Sequence, residues 1–220
     1  MRLLSTRELS DALGVSESSL KRWVDGGRIA ASRTEGGHRR IALAEAMRFI
    51  RDTGAPVIRP ELLDLPGVAM TRAREHARLL DHRREGDAVG ALGWLTERYL
   101  EGATIAALGD GPIREAMHAL GELWRHDADG VFIEHRATDA CLQAIAQLRG
   151  MLAAASPRAP VAIGGAPSGD PYLVPSQLAA MVAAEAGMRV VNLGPDVPPA
   201  ALEQGAAAHR PKLVWLSITA

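Results

Sequence analysis

The chain has 220 residues with 25 Lys/Arg, 26 Asp/Glu and one cysteine, a formal net charge of -1. A single cysteine, Cys141, excludes an intrachain disulfide framework and fits a reducing compartment. No apolar run reaches membrane-spanning length, and "MRLLSTRELS" lacks a secretory apolar segment. A soluble, cytoplasmic protein without membrane association is expected. The charge is unevenly divided: residues 1–52 hold ten Lys/Arg against seven Asp/Glu, and the remainder is at -4. A basic segment on a faintly acidic body suggests a nucleic-acid module joined to something else.

Ser5 and Glu8 form a capping-box spacing ahead of "LSDAL", and Ser16 is an N-cap for "ESSLKRWVD". Two short helices across a tight glycine-bearing turn predict a helix-turn-helix. Its second helix would present Ser18, Ser19, Lys21 and Arg22 to DNA, with Leu20 and Trp23 turned inward. "DGGRIAASRTEGGHRRI" then reads as a hairpin around Glu35-Gly36-Gly37, with Arg33 on one arm and His38, Arg39 and Arg40 on the other. A basic hairpin beside a recognition helix is a wing whose cations meet phosphates. Any one of these features also suits a small helical domain with a solvated basic face; their order is more specific.

The Pro-bearing stretch 54–67 reads as a linker after a first domain at 1–53. Residues 68–155 carry four helical patterns, "TRAREHARLLDHRREG", "AVGALGWLTERYLEG", "PIREAMHALGELWRHD" and "FIEHRATDACLQAIAQLRGMLAAA". They predict a four-helix bundle. Glu115 and His118 have the Glu-x-x-His spacing of di-iron bundles, but no second such pair accompanies them, and a solvated ion pair is the better reading. Adjacent Glu134 and His135 are expected to point apart on their helix.

After "SPRAP", residues 156–220 alternate strand "VAIGGA", helix "SQLAAMVAAEAG", strand "RVVNLG", helix "PAALEQGAAAHR" and strand "KLVWLSITA". That is the start of a Rossmann-like parallel sheet, and three strands suggest part of a longer protein. The fold class expected is multidomain: winged helix-turn-helix, four-helix bundle, then partial Rossmann-like sheet.

The head, with its "GGHRRI" wing, resembles MerR-type transcription regulators, in which an aromatic commonly stands where Ile41 is. Trp124, followed ten residues later by Glu134-His135, resembles the cobalamin cap of the CarH, CarA and LitR group of light-responsive repressors. That resemblance implies that Trp124, Glu134 and His135 shelter the upper face of adenosylcobalamin. In the same group an Asp-x-His-x-x-Gly loop supplies the lower cobalt ligand. Here it reads Asp170-Pro171-Tyr172-Leu173-Val174-Pro175, with Tyr172 at the cobalt-ligand position and Pro175 stiffening the loop. Ser217 matches the group's Ser-x-Leu serine, and its Gly-Gly element would fall beyond Ala220.

The resemblance implies a repressor that binds a double-stranded operator as a dimer or tetramer and releases it on a ligand or light signal. Three readings of the pocket stay open: adenosylcobalamin held without a histidine ligand, another tetrapyrrole using Tyr172, or no cofactor and control by a partner such as an antirepressor protein. The competing class is a corrinoid-dependent methyl-transfer or carrier protein. It leaves the wing unexplained and needs the histidine that Tyr172 replaces, so no enzyme activity is expected.

Overall fold

The computed structural model describes residues 2–65, 87–124 and 130–219, with only the backbone of Ala88, Glu122, Leu123 and Trp124. The predicted bundle helix at 71–86 therefore lies outside the described residues. Two compact units emerge, one of residues 1–104 and 115–152, the other of 105–114 and 153–220. Among the described residues no helix is long and apolar enough to cross a membrane.

The first unit opens with strand β1 (Leu3–Ser5), helices α1 (Thr6–Leu13) and α2 (Glu17–Asp25), strands β2 (Ser32–Arg33) and β3 (Arg39–Ala42), and helix α3 (Leu43–Thr53). The capping box forms as predicted: Ser5 Oγ accepts from the Glu8 amide at 3.1 Å, and Glu8 Oε2 accepts from the Ser5 amide at 2.7 Å. Gly14 ends α1 at φ 67, and a Cβ there would meet Ile58 Cδ1 at 2.5 Å. Only glycine suits both demands. β1 was not foreseen. It pairs antiparallel with β3, Leu4 opposite Ile41, giving the order β1-β3-β2. Leu4, Leu9, Leu20, Ile41, Met47 and Ile50 form the buried centre of this head.

The expected linker differs from what is observed. Val57, Leu63 and Leu65 are buried, and a 3-10 turn (Pro60–Leu63) packs on α1. The amides of Ile58 and Arg59 donate to Ala12 O at 2.9 and 3.1 Å. Arg2 donates to Leu62 O at 2.8 Å and pairs with Asp64. Apolar residues inside the Pro-bearing stretch are the reason: burying each contributes about 1.5–3 kcal/mol, enough to hold the segment down.

Helix α4 (Ala88–Leu100) follows, N-capped by Asp87. It packs along the 22-residue helix α7 (Gly130–Met151). Ala137, Ala140, Cys141 and Ala144 are buried on α7, and Ala91, Leu92 and Leu95 on α4. The small side chains let the two backbones approach. α3 packs on both α4 and α7, so head and bundle belong to one unit.

Between these helices come α5 (Ile105–Leu108), a π turn (Gly109–Ile113) and α6 (Arg114–Trp124). Residues 105–114, read from sequence as bundle, instead join the second unit. Ile105 N–H donates to Glu185 Oε2 at 2.9 Å, and Leu178 lies against Gly109.

The rest of the second unit is β4 (Val161–Gly165), α8 (Leu173–Glu185), β5 (Arg189–Asn192), α9 (Pro199–His209) and β6 (Leu213–Leu216). The strands are parallel in the order β5-β4-β6. This is the Rossmann-like start that the alternating pattern predicted. One boundary moved: α8 starts at Leu173 rather than Ser176. Pro175 therefore does not stiffen a loop. It lies in the first helical turn, where a missing N–H leaves no bond unmade.

Candidate nucleic-acid interface and α/β loop site

The helix-turn-helix and its wing bring four of the eight predicted DNA residues, Lys21, His38, Arg39 and Arg40, to one groove of the head. Ser18 and Arg22 are exposed on α2, Ser19 and Lys21 half-buried, while Leu20 is fully buried. Trp23 is turned toward Phe49, ring centres 5.2 Å apart. The three serines are mutually bonded: Ser16 Oγ lies 2.9 Å from both Ser18 Oγ and Ser19 Oγ. Ser19 Oγ also accepts from Arg22 at 3.2 Å.

A polar groove of about 240 Å³ runs between the start of α1, α2 and the wing. Its lining includes Arg7, Glu17, Lys21, His38 and both wing arginines, Arg39 and Arg40. Glu17 stands between cations: its carboxylate accepts from Thr6 at 2.9 Å and pairs with Lys21 at 3.0 Å. The Lys21 hydrogen bond, then that of Thr6, lowers its pKa below the ordinary carboxylate value. Arg7 was missed from sequence. Its signal was available, as a cation in the first turn of α1 with an exposed side chain.

The wing tip is a tight turn in which Thr34 N–H donates to His38 O at 3.0 Å, with Gly37 at φ 77. Of the wing cations, His38 is exposed and Arg40 half-exposed. Arg39 is engaged otherwise: Nη2 donates to both carboxylate oxygens of Asp25 at 2.8 Å. Arg33 reaches the same carboxylate at 3.4 Å.

The residues expected around a cofactor fall on the two units separately. Trp124 ends α6, its side chain outside the described set. Glu134 and His135, expected to diverge, are in contact: Nδ1 of His135 lies 2.8 Å from Glu134 Oε2 and 3.0 Å from Val131 O. An exposed imidazole turned back along its helix meets the flexible glutamate, which adjacent Cβ directions alone do not reveal. Glu115 and His118 are both exposed, as expected of a solvated face. Among the described residues no cluster of His, Cys, Asp or Glu could hold a metal.

On the second unit, the loop after β4 is closed by Asp170, which is buried. Its Oδ2 accepts from the Thr219 amide at 2.7 Å and its Oδ1 from the Tyr172 amide at 3.1 Å. Those bonds, Thr219's first, hold its pKa below the ordinary aspartate value. Tyr172 N-caps α8 with extended backbone, and the residue is 54% exposed. Histidine-ligated cobalamin needs a neutral imidazole here with a carboxylate oriented behind it. This loop offers a phenol, and its carboxylate is committed to two backbone amides. The residues do not fit that group.

One row across the sheet was not foreseen. Gly164 lies in register with Asn192 on one side and Trp215 on the other. A Cβ on Gly164 would meet Trp215 Cδ2 and O at 2.3 Å, so the indole needs that glycine. Asn192 Oδ1 accepts from fully buried Ser176 at 2.7 Å and from the Gly194 amide at 3.0 Å. Asn192 Nδ2, Trp215 Nε1 and Ser217 Oγ are buried with no hydrogen-bond partner among the described residues, an uncommon state for polar atoms. They stand toward the C-terminal ends of the strands, where ligands of open α/β sheets bind.

Residues 3–53 match the helix-turn-helix domain family. No curated protein matches the chain. Among solved structures, the methanol:cobalamin methyltransferase complex MtaBC of Methanosarcina barkeri is similar at 18% identity and TM-score 0.31, over 63% of this chain and 54% of that one. A cobalamin-binding protein of Desulfitobacterium hafniense is similar at 21% identity and TM-score 0.29, over 64% of this chain and 67% of that one. The chain thus spans about half the length of the first of these. The helix-turn-helix head is the part of the chain with a family match.

Proposed function

We propose that the chain is a DNA-binding transcription regulator, a repressor whose head grips an operator as part of a dimer or tetramer. The observation that carries this is the cationic groove on a head matched as a helix-turn-helix domain. Ser18, Ser19 and Arg22 read base edges from α2, while Arg7, Lys21, His38 and Arg40 hold phosphates across the groove. Arg33, exposed on the wing, adds a further cation. The protein works in the cytoplasm and carries out no catalysis. A carrier of methyl groups on cobalt would need the axial ligand that Tyr172 does not supply.

The second unit takes the signal. Its unpartnered polar atoms Asn192 Nδ2, Trp215 Nε1 and Ser217 Oγ support a polar occupant near the strand ends. Histidine-ligated adenosylcobalamin is disfavoured by the committed Asp170. A different flat ligand, or an antirepressor protein acting without cofactor, is the better supported input.

Two measurements test this. Affinity for duplex DNA should fall linearly on a log–log plot against salt, as phosphate contacts release counterions. No salt dependence with any duplex would sink the regulator. Adenosylcobalamin added in the dark should not co-elute with the protein on gel filtration, and illumination should leave the oligomeric mass unchanged. A light-dependent change of mass would restore the photoreceptor reading.

A further inference from the structure

The wing presents two adjacent arginines, Arg39 and Arg40, and composition alone gives both to DNA. Side chains alternate across a strand, so the two leave β3 on opposite faces. The register tells which face is which. Ile41 is fully buried and pairs with Leu4, and Arg39, two residues away, shares its face. Arg40 pairs with Ser5 and with Ser32 on the opposite face. Both arginines border the groove, so what separates them is what each guanidinium is bound to.

Arg39 also lies directly opposite Arg33. Like charges in that position repel, and an anion is needed between them. Asp25, the last residue of α2, supplies it. Its carboxylate takes Nε of Arg39 at 3.1 Å and Nη2 on both oxygens at 2.8 Å, and reaches Arg33 at 3.4 Å. The Arg39 side chain is left 21% exposed, against 60% for Arg33. Paired Arg–carboxylate geometry of this kind fixes direction as well as distance.

We propose that Asp25 and Arg39 form a strut between recognition helix and wing, and that Arg39 positions the wing rather than contacting DNA. The strut sets where Arg40 and His38 stand relative to Lys21. It rests on the DNA-binding reading above, and its failure is separable from the failure of that reading.

The test uses the full chain and a mixed-sequence duplex, with affinity measured from about 50 to 200 mM salt. Unchanged affinity across salt for the unmodified chain would remove the DNA-binding reading itself. Given binding, Arg40→Gln should flatten the log–log slope by about 0.9, the loss of one phosphate contact. Arg39→Gln should weaken binding at every salt concentration with the slope unchanged. Asp25→Asn should weaken it likewise, although removing a carboxylate near DNA would by charge alone tighten it. A flatter slope for Arg39→Gln, or a tighter or steeper line for Asp25→Asn, would overturn the strut. Independently of any variant, the Arg39 Nε–H resonance should stay in place when DNA is added; a large shift would also overturn it.

Discussion

The guanidinium of Arg51 stands over the ring of Tyr99, 4.3 Å from its centre. Its Nη1 donates to Ala103 O at 3.0 Å, just past the end of α4. A cation from the last turn of α3 thus meets the carbonyl end of a bundle helix, where positive charge is favoured. Arg51→Met is expected to destabilise the first unit by about 1–3 kcal/mol, combining a charge-assisted hydrogen bond with the cation–ring contact. Urea unfolding measures it. Arg51→Lys should recover only part, because a compact ammonium lacks the planar guanidinium that covers the Tyr99 ring while reaching the carbonyls.

The capping box makes the head sensitive to acid. The Ser5 amide, then the Ser5 hydroxyl, lowers the pKa of Glu8. A carboxylate with a depressed folded pKa contributes stability above its unfolded value, about 4.3, and loses it as pH falls through the folded one. Urea midpoints should therefore drop below about pH 4 in the unmodified chain. In Glu8→Gln the drop should be smaller. Ser5→Ala should cost about 1 kcal/mol at neutral pH.

Gly164→Ala should damage the sheet. Its Cβ would strike both the Trp215 ring and the Trp215 carbonyl oxygen, and a backbone atom in a parallel ladder has little room to yield. A loss of about 1–3 kcal/mol or more is expected, with altered tryptophan fluorescence. Gly121→Ala is the control: among the described residues nothing lies within 4 Å of that Cβ, and the site is helical. There a gain of about 0.5–1 kcal/mol is expected.

Asp170 should act as a loop lock. Because its pKa is lowered by the Thr219 and Tyr172 amides, the lock holds above the unfolded aspartate value and opens as pH falls through the folded one. Amide exchange at Thr219 should lose protection on acidification. In Asp170→Ala that amide should be unprotected already at neutral pH. Equal protection in both proteins would refute the lock.

Elements with a strong local signal were legible in the sequence. Ser5 with Glu8, Ser16 and the 2-versus-3.6 periodicity after residue 156 each encode their element within a few residues, and each formed. What escaped depended on partners distant in the chain. β1 is three residues long and exists because β3 returns beside it. The stretch 57–65 carries linker composition, yet Gly14 and Ala12 wait for it some 45 residues earlier. At the candidate sites, residue type singled out Arg39 and Asp170 but not what would claim their charge. Asp25 and the Thr219 amide settle that, and neither is readable as a partner from spacing.

The contact between Arg2 and Leu62 makes the head a closed cartridge. The chain enters it at residue 2 and leaves near residue 65 on the same side, so its two ends sit together. A module of that shape can be set into a loop of a foreign host without prying its ends apart.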